Sequence, residues 1–468
     1  MKEILPEPDL PVTSRPPAKT YHVKSFGCQM NVYDSERMGD LLSAQGLAAV
    51  DSAEAADVVV LNTCHIRERA AEKLYSDIGR LRLPRADGSR PTIVAAGCVA
   101  QAQGGEIAIR APDVDVIVGP LAYHRLPDLL KQAQSGRAVD IDMPEVPKFG
   151  SLAPRRTTPG KAGAGAFLTV QEGCDKFCTF CVVPYTRGPE TSRPAADLIA
   201  EAQALVTRGV KEITLLGQNV NAYVDRGGGG LSLAGLIRAL ADIDGLERIR
   251  YTTSHPRDMA GAGGDELIAA HVQVPKLMPY LHLPVQSGSS RILKAMNRAH
   301  TRESYLATLA RLRAVRPDIA LSGDFIVGFP GETEADFQDT LSIVRDVQYA
   351  AAYSFKYSIR PGTPAATMAD QVPEAVKDER LARLQAAITE GSLAFNRSTI
   401  GRRCTVLLER PGRKPGQLIG KTPWLQSAVV SIPGAAIGDL VEITIVAAHP
   451  NSVEAVPVMS SSSESAAA

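Results

Sequence analysis

The sequence predicts an α/β protein in three parts: an N-terminal parallel α/β domain, a central partial (β/α)6 barrel and a small C-terminal antiparallel β-barrel. Two long stretches alternate apolar, β-branched runs with helical segments, a pattern that favours parallel sheets covered by helices. A third stretch has only short β runs broken by glycine and proline, which favours a small barrel. The 468 residues, 44% apolar and 22% charged, are enough for about three such domains.

Residues 20–136 form the predicted N-terminal domain. Strands are expected at 21–26, 57–63, 92–97 and 114–119, and helices at 33–44 and 66–81. Cys28, Cys64 and Cys98 stand within two residues of the ends of the first three strands. Because the carboxyl ends of parallel strands meet at one sheet edge, we expect these cysteines to meet in space although they are far apart in sequence.

A predicted linker, residues 137–165, precedes the central barrel at residues 166–395. The linker is rich in proline, glycine and basic residues and lacks apolar periodicity. Strands are expected at 167–171, 212–217, 248–254, 280–284, 319–327 and 351–357, and helices at 194–207, 232–243, 302–315 and from Thr333, with Asp336 at capping-box spacing. The unusual polar residues fall in the loops after the strands, where barrels of this type place their chemistry.

Residues 396–458 form the predicted C-terminal barrel, with β runs at 404–408, 418–420, 428–431 and 440–445. Its first half is basic in a chain of zero net charge, with seven Lys or Arg between Asn396 and Leu425 against the single Glu409. This asymmetry favours a polyanionic partner, although a solvated charged face is the alternative. Residues 459–468 are of low complexity and are predicted to be a disordered tail.

Several classes of protein are disfavoured by composition. The longest apolar stretches are strand-length, far short of the roughly 20 residues of a membrane span. The N-terminus has no apolar region of the signal-peptide type, so we expect a cytoplasmic, reducing location. In that compartment seven cysteines favour metal binding or catalysis over disulfides.

The tight cysteine trio is the strongest chemical motif. Cys174, Cys178 and Cys181 can hold three corners of a cubane iron–sulfur cluster, and no fourth cysteine lies nearby. A zinc knuckle normally supplies four ligands, so the open corner favours a substrate-binding iron over a structural metal site. This CxxxCxxC spacing, with an aromatic residue before the last cysteine, resembles the signature of radical S-adenosylmethionine enzymes.

The similarity extends along most of the chain. Sequence motifs typical of one family occur at residues 26–31, 34–36, 62–67, 97–101, 171–188, 217–221, 253–256, 282–288 and 324–333. Together they resemble the MiaB-type tRNA methylthiotransferases of the radical S-adenosylmethionine superfamily, from about residue 20 to residue 458. The C-terminal barrel resembles a TRAM domain, an RNA-binding module.

The resemblance implies two [4Fe–4S] clusters and two S-adenosylmethionine molecules per turnover. The tight trio would be catalytic and bind S-adenosylmethionine at its open iron, and Cys28, Cys64 and Cys98 would hold a second, sulfur-donating cluster. The implied cofactor pocket comprises Gln218, Asn219, Ser254, His255, Gly328 and Glu332. Simpler interpretations are buried core thiols for the dispersed trio, a hydrogen-bonded strand-end histidine for His255 and a helix N-terminal charge for Glu332.

The implied activity is methylthiolation of C2 of N6-(dimethylallyl)adenosine at position 37 of tRNAs that read codons beginning with U. Implied partners are the tRNA anticodon stem-loop, a reductant such as flavodoxin or ferredoxin, and a sulfur or cluster donor, with a monomeric chain and no membrane. Two alternative substrates are threonylcarbamoyl-adenosine in tRNA and an aspartate of a ribosomal protein. A third alternative is that the chain is a non-catalytic RNA-binding metalloprotein. The motif Cys28-Gln29-Met30-Asn31 resembles the isopentenyl-adenosine branch of the family, whereas the ribosomal-protein branch tends to have Lys at the position of Met30. Cys404 is expected in the barrel core, whereas Trp424 either stacks on a base or plugs the barrel.

Overall fold

The computed structural model describes residues 18–65, 68–85, 88–143, 148–152 and 163–458. The predicted tail, residues 144–147 and 153–162 of the predicted linker and the start of the helix predicted at 66–81 lie outside these ranges. The chain divides into two compact units, Met1–Thr157 with Val182–Thr191, and Thr158–Cys181 with Ser192–Ala468. None of the described helices is long and apolar enough to cross a membrane.

The first unit is built on a six-stranded parallel sheet, which confirms the predicted N-terminal architecture. Its strands are β1 (Thr20–Phe26), β2 (Ala48–Ala49), β3 (Val58–Thr63), β4 (Thr92–Ala96), β5 (Val116–Val118) and β6 (Ala138–Asp140), in the order β2-β1-β3-β4-β5-β6. Its helices are α1 (Gln29–Ala44), α2 (Glu68–Leu81), α3 (Cys98–Arg110), α4 (Leu126–Gln132) and α5 (Val183–Arg187). The short edge strands β2 and β6 and the helices α3, α4 and α5 were not predicted from the sequence; in α3, two adjacent glycines lower the helix propensity.

The central strand β3 is packed on both of its faces. All six of its residues are buried, and side chains alternate between the faces of a strand. Val58 and Val60 belong to one apolar cluster, and Val59 and Leu61 belong to another. Both faces of the sheet are therefore packed, which leaves the strand ends as the place for a site.

The second unit contains the predicted partial barrel of six parallel strands. Its strands are β7 (Gly165–Thr169), β8 (Gln171–Glu172), β10 (Glu212–Leu216), β11 (Arg248–Thr252), β12 (Tyr280–His282), β13 (Ala320–Val327) and β14 (Ala351–Lys356), and β9 (Thr191–Ser192) spans a division between the units. Its helices are α6 (Ala195–Thr207), α7 (Leu233–Ala241), α8 (Gly261–Gln273), α9 (Ser290–Ala295), α10 (Arg302–Val315), α11 (Glu334–Val347) and α12 (Glu374–Ser398). The strands form the sheets β11-β10-β7 and β12-β13-β14, and a parallel bridge pairs Ile249 of β11 with Leu277, which lies just before β12. The capping box of Thr333 and Asp336 is present at the start of α11.

The C-terminal barrel is closed, with the strand order β15-β16-β17-β19-β18. These strands are β15 (Arg403–Pro411), β16 (Gln417–Lys421), β17 (Ser427–Ser431), β18 (Leu440–His449) and β19 (Ser452–Pro457). The fully antiparallel expectation needs one correction, because β17 and β19 pair in parallel. Five strands are an odd number, so alternating directions cannot close the ring. The last strand was missed by the sequence, and α12 continues through the predicted boundary at residues 395–396.

Candidate active site

The dispersed cysteines lie where three neighbouring strands of the first unit end. Cys28 follows β1 and precedes α1, Cys64 directly follows β3, and Cys98 begins α3 after β4. Since β1, β3 and β4 are adjacent in the sheet, their carboxyl ends meet at one edge. Cys64 and Cys98 are buried and Cys28 is half-buried, so this edge carries a sheltered trio of thiols.

Two glycines allow this close packing. Gly27 has a φ of +141°, and a Cβ added there would lie 2.2 Å from Cβ of Cys64. Gly97 has a φ of +89°, and its added Cβ would lie 2.2 Å from Oδ1 of Asn62. A side chain at either position would push the cysteine-bearing turns apart.

The trio lies in an unequal electrostatic environment. The Cys64 side chain is the main cause that lowers the pKa of Cys28 to about 6, with further help from the charge of Arg187. Burial raises the pKa of Cys98, although the same guanidinium opposes this shift. Arg187 donates from Nε to the Cys98 sulfur at 3.4 Å and from Nη2 to Asp34 at 2.6 Å. Both charged residues lie in the motifs at 34–36 and 171–188, but nothing in the sequence predicted that they pair.

The tight trio lies in the loop after β7 and β8 of the second unit. The Gly173 N–H donates to Oε1 of Gln218 at 2.6 Å, and the Cys181 N–H donates to the Cys178 carbonyl at 2.9 Å. Cys178 is buried, and Nη1 of Arg298 lies 3.5 Å from its sulfur. These hydrogen bonds hold the loop in a defined turn. The buried Arg298 beside the Cys178 thiol was not predicted from the sequence.

A polar network ties this loop to the next strand ends. Nζ of Lys176 lies 2.9 Å from an Asp258 carboxylate oxygen, which also accepts a hydrogen bond from Asn219 at 2.7 Å. Asn219 follows β10 and Asp258 follows β11, so the predicted Gln218 and Asn219 both brace the cysteine loop. Asp258 was not predicted as a site residue.

Ser254 and His255 follow β11 and present polar atoms that are buried. Within the described chain, Oγ of Ser254 and Nε2 of His255 have no hydrogen-bond partner. Nδ1 of His255 accepts a hydrogen bond from the Arg257 N–H at 3.1 Å, which places the ring hydrogen on Nε2. Burial lowers the pKa of His255 far below its usual range, so the ring is neutral. Two donors are therefore available to a ligand.

Gly328 and Glu332 form a tight turn after β13. Oε2 of Glu332 accepts from the Gly328 N–H at 2.7 Å and pairs with Arg380 at 2.8 Å, while burial raises the pKa of the carboxyl group. Gly328 has a φ of +70°, and an added Cβ would lie 2.3 Å from Cγ of Lys377. These contacts give Glu332 a structural role in the turn, in addition to any contact with a ligand.

The donor sets have the chemistry of iron–sulfur cluster ligands, because each trio consists of three cysteines. Across the described residues, no group of three His, Cys, Asp or Glu is arranged to hold one metal ion. Three thiolates bound to three different irons of a cubane do not need to converge on one point, and all-thiolate sets are typical of such clusters. The buried, unpaired Ser254 Oγ and His255 Nε2 leave the second unit with two polar groups that can hydrogen-bond to a ligand.

The C-terminal barrel exposes a basic surface. Six of the seven basic residues between Asn396 and Leu425 are exposed, namely Arg397 at the end of α12 and Arg402, Arg403, Arg410, Arg413 and Lys414, whereas Lys421 is half-buried. Trp424 is 7% exposed and belongs to the barrel core, with the Arg402 guanidinium 5.3 Å from its ring. It therefore plugs the barrel. Cys404 is half-buried and packs against the same core, in line with its expected place.

Three family models match successive parts of the chain. Residues 20–119 match the uncharacterized protein family UPF0004, residues 168–344 match the radical SAM superfamily, and residues 397–458 match the TRAM domain. A solved structure of the radical S-adenosylmethionine methyltransferase TsrM from Kitasatospora setae shares the fold, with a TM-score of 0.54 at 14% identity over 74% of this chain and 77% of that one.

Curated relatives extend the similarity to nearly the whole chain. The tRNA-2-methylthio-N(6)-dimethylallyladenosine synthase of Sphingopyxis alaskensis is 66% identical over 94% of this chain and 98% of its own length. The protein of the same name from Zymomonas mobilis is 62% identical over 94% of this chain and 97% of its own length. At this identity and coverage, the chain belongs to the family of tRNA-2-methylthio-N(6)-dimethylallyladenosine synthases, which are radical S-adenosylmethionine enzymes.

Proposed function

We propose that this chain methylthiolates C2 of N6-(dimethylallyl)adenosine at position 37 of tRNAs that read codons beginning with U. The observation that carries the proposal is the 66% identity to a synthase of that name over almost the full length of both chains. The two cysteine trios at the strand ends support a radical mechanism. Residues 20–136, 166–395 and 396–458 act in this proposal as the sulfur-donating, radical-generating and RNA-binding domains.

The cysteines divide between two cluster sites in this proposal. Cys174, Cys178 and Cys181 hold the catalytic cluster, and Cys28, Cys64 and Cys98 hold the second. When bound, the first cluster supplies the electron that cleaves S-adenosylmethionine, and the second supplies an open iron for sulfur. Each turnover consumes two S-adenosylmethionine molecules.

The chain's own residues shape the cofactor pocket. Gln218 and Asn219 fix the cysteine loop through Gly173 and Asp258. Ser254 and the neutral His255 offer buried hydroxyl and imidazole donors to the bound nucleotide or methionine group. The Gly328–Glu332 turn, held by Arg380, forms a wall of fixed shape.

The exposed basic surface of the C-terminal barrel binds the anticodon stem-loop through its phosphates. The proposal includes a monomeric chain in the cytoplasm, a reductant such as flavodoxin or ferredoxin, and a separate sulfur or cluster donor.

The test is a substrate panel with the anaerobically reconstituted full chain and mass spectrometry of the nucleosides. We expect methylthiolation of tRNA that carries dimethylallyl-adenosine and far slower reaction of unmodified tRNA, because the apolar dimethylallyl group offsets the cost of unstacking the base. Comparable turnover of threonylcarbamoyl-adenosine or of the ribosomal protein would reject this substrate.

A further inference from the structure

Arg187 is a buried cation in an unexpected place. The segment Val182–Thr191 follows Cys181 directly in the sequence, yet it belongs to the first unit. Arg187 ends α5 in that segment and is only 3% exposed. A buried guanidinium is costly unless it is paired and hydrogen-bonded, so its contacts have to account for its position.

Its contacts join a carboxylate to a cysteine. Nη2 donates to Oδ2 of Asp34 at 2.6 Å, and Nε donates to the Cys98 sulfur at 3.4 Å. Asp34 is itself buried, and Nζ of Lys148 lies 3.5 Å from its other oxygen. Two cations therefore contact one carboxylate, and the guanidinium of one of them also reaches the Cys98 sulfur.

A guanidinium that donates to the Cys98 sulfur would act on a bound cluster. A [4Fe–4S]2+ core with three thiolates carries one net negative charge, and an added electron or sulfide makes the assembly more negative. Net charge, burial and hydrogen bonds to the cluster sulfurs are the protein's main controls on the reduction potential. In a buried site a nearby cation is weakly screened, so it favours the more negative state.

We propose that Arg187 is a positioning residue for the second cluster: Asp34 aims its guanidinium at the Cys98 sulfur, and its charge raises the reduction potential of that cluster. The same charge favours sulfide at the open iron. This inference rests on the proposed function, because it requires Cys28, Cys64 and Cys98 to hold a cluster.

The test isolates the second cluster in the full chain by changing Cys174, Cys178 and Cys181 to Ala. Iron content and a potentiometric titration followed by electron paramagnetic resonance are compared for this parent and for Arg187→Gln and Arg187→Lys in the same background. We expect a more negative midpoint in Arg187→Gln and a midpoint close to the parent in Arg187→Lys. Asp34→Asn removes the opposing charge and should shift the midpoint in the positive direction. The control Arg125→Gln removes a half-exposed arginine of the same unit, paired with Asp140, and should change nothing.

Each outcome is decisive. An unchanged midpoint in iron-loaded Arg187→Gln overturns the proposal, and so does loss of iron from both Arg187 variants. Loss of iron from Arg187→Gln alone, with a parent-like midpoint in Arg187→Lys, supports the need for a cation. A parent chain that binds no iron would instead reject the second cluster, which is a failure of the proposed function and not of the role of Arg187.

Discussion

Replacing Arg248 with Ala should loosen the C-terminal barrel from the central barrel. Arg248 opens β11 and is 2% exposed. It donates to the Thr405 carbonyl at 2.7 Å, to Oγ1 of Thr405 at 2.9 Å and to the Lys421 carbonyl at 2.8 Å, and it lies 3.7 Å from the Glu212 carboxylate.

The expected loss follows from these contacts. A hydrogen bond to a charged group contributes about 1.5–3 kcal/mol, but bonds that share one side chain are not additive. Removing one partner of a buried ion pair costs about 3–5 kcal/mol. Arg250 still lies 3.0 Å from Glu212, so we expect the Arg248 variant to lose about 3 kcal/mol, at the lower end of that range.

Calorimetry of the full chain can measure this change, with the transitions of the two units analysed separately because a single two-state fit does not apply. The matched control is Arg311→Ala, which removes an arginine that is 51% exposed and pairs with Asp265, itself 58% exposed. That control should cost less than about 1 kcal/mol. Equal losses in the two variants would refute the idea that Arg248 fastens the barrel.

Three further predictions concern RNA binding, pH and the turn after β13. Changing the exposed Arg413 and Lys414 to Glu should weaken tRNA binding and reduce the slope of log affinity against log salt by about 0.7 per lost single-strand phosphate contact. A tRNA affinity of the wild-type chain that does not change with salt would contradict this prediction. Burial lowers the pKa of His271 to about 3, so the folded ring stays neutral while the unfolded ring is protonated below its usual 6.5. The free energy of unfolding therefore falls as pH drops below that value, by about 2 kcal/mol at pH 5. The variant His271→Gln keeps an acceptor for the Tyr251 hydroxyl but does not titrate, so its free energy of unfolding, measured by chemical denaturation, should fall less between pH 7 and pH 5. Gly328→Ala should lower the melting temperature, because its Cβ would clash with Lys377 in a left-handed turn; an unchanged value would show that the turn relaxes freely.

The sequence predicted what local patterns determine. Strand ends located Cys28, Cys64 and Cys98 at one sheet edge, and the spacing of Thr333 and Asp336 predicted a real capping box. These features depend on periodicity and on short-range hydrogen bonds, which the sequence displays directly.

Long-range polar pairs could not be predicted in the same way. Arg187 and Asp34 are 153 residues apart, and Arg248 is 173 residues from Lys421. Such pairs depend on how strands and helices pack, and no local pattern records them. For the same reason, the sequence could not distinguish base stacking by Trp424 from packing in the barrel; its burial in the barrel core favours packing.

The most direct test of the two-cluster account compares the reconstituted wild-type chain with two triple-alanine variants, one at Cys174, Cys178 and Cys181 and the other at Cys28, Cys64 and Cys98. Mass spectrometry follows 5′-deoxyadenosine and the methylthiolated nucleoside in the same reactions. The account predicts that the first variant forms neither product, whereas the second still forms 5′-deoxyadenosine but no methylthiolated nucleoside. Methylthiolation at the wild-type rate by the second variant would contradict the account.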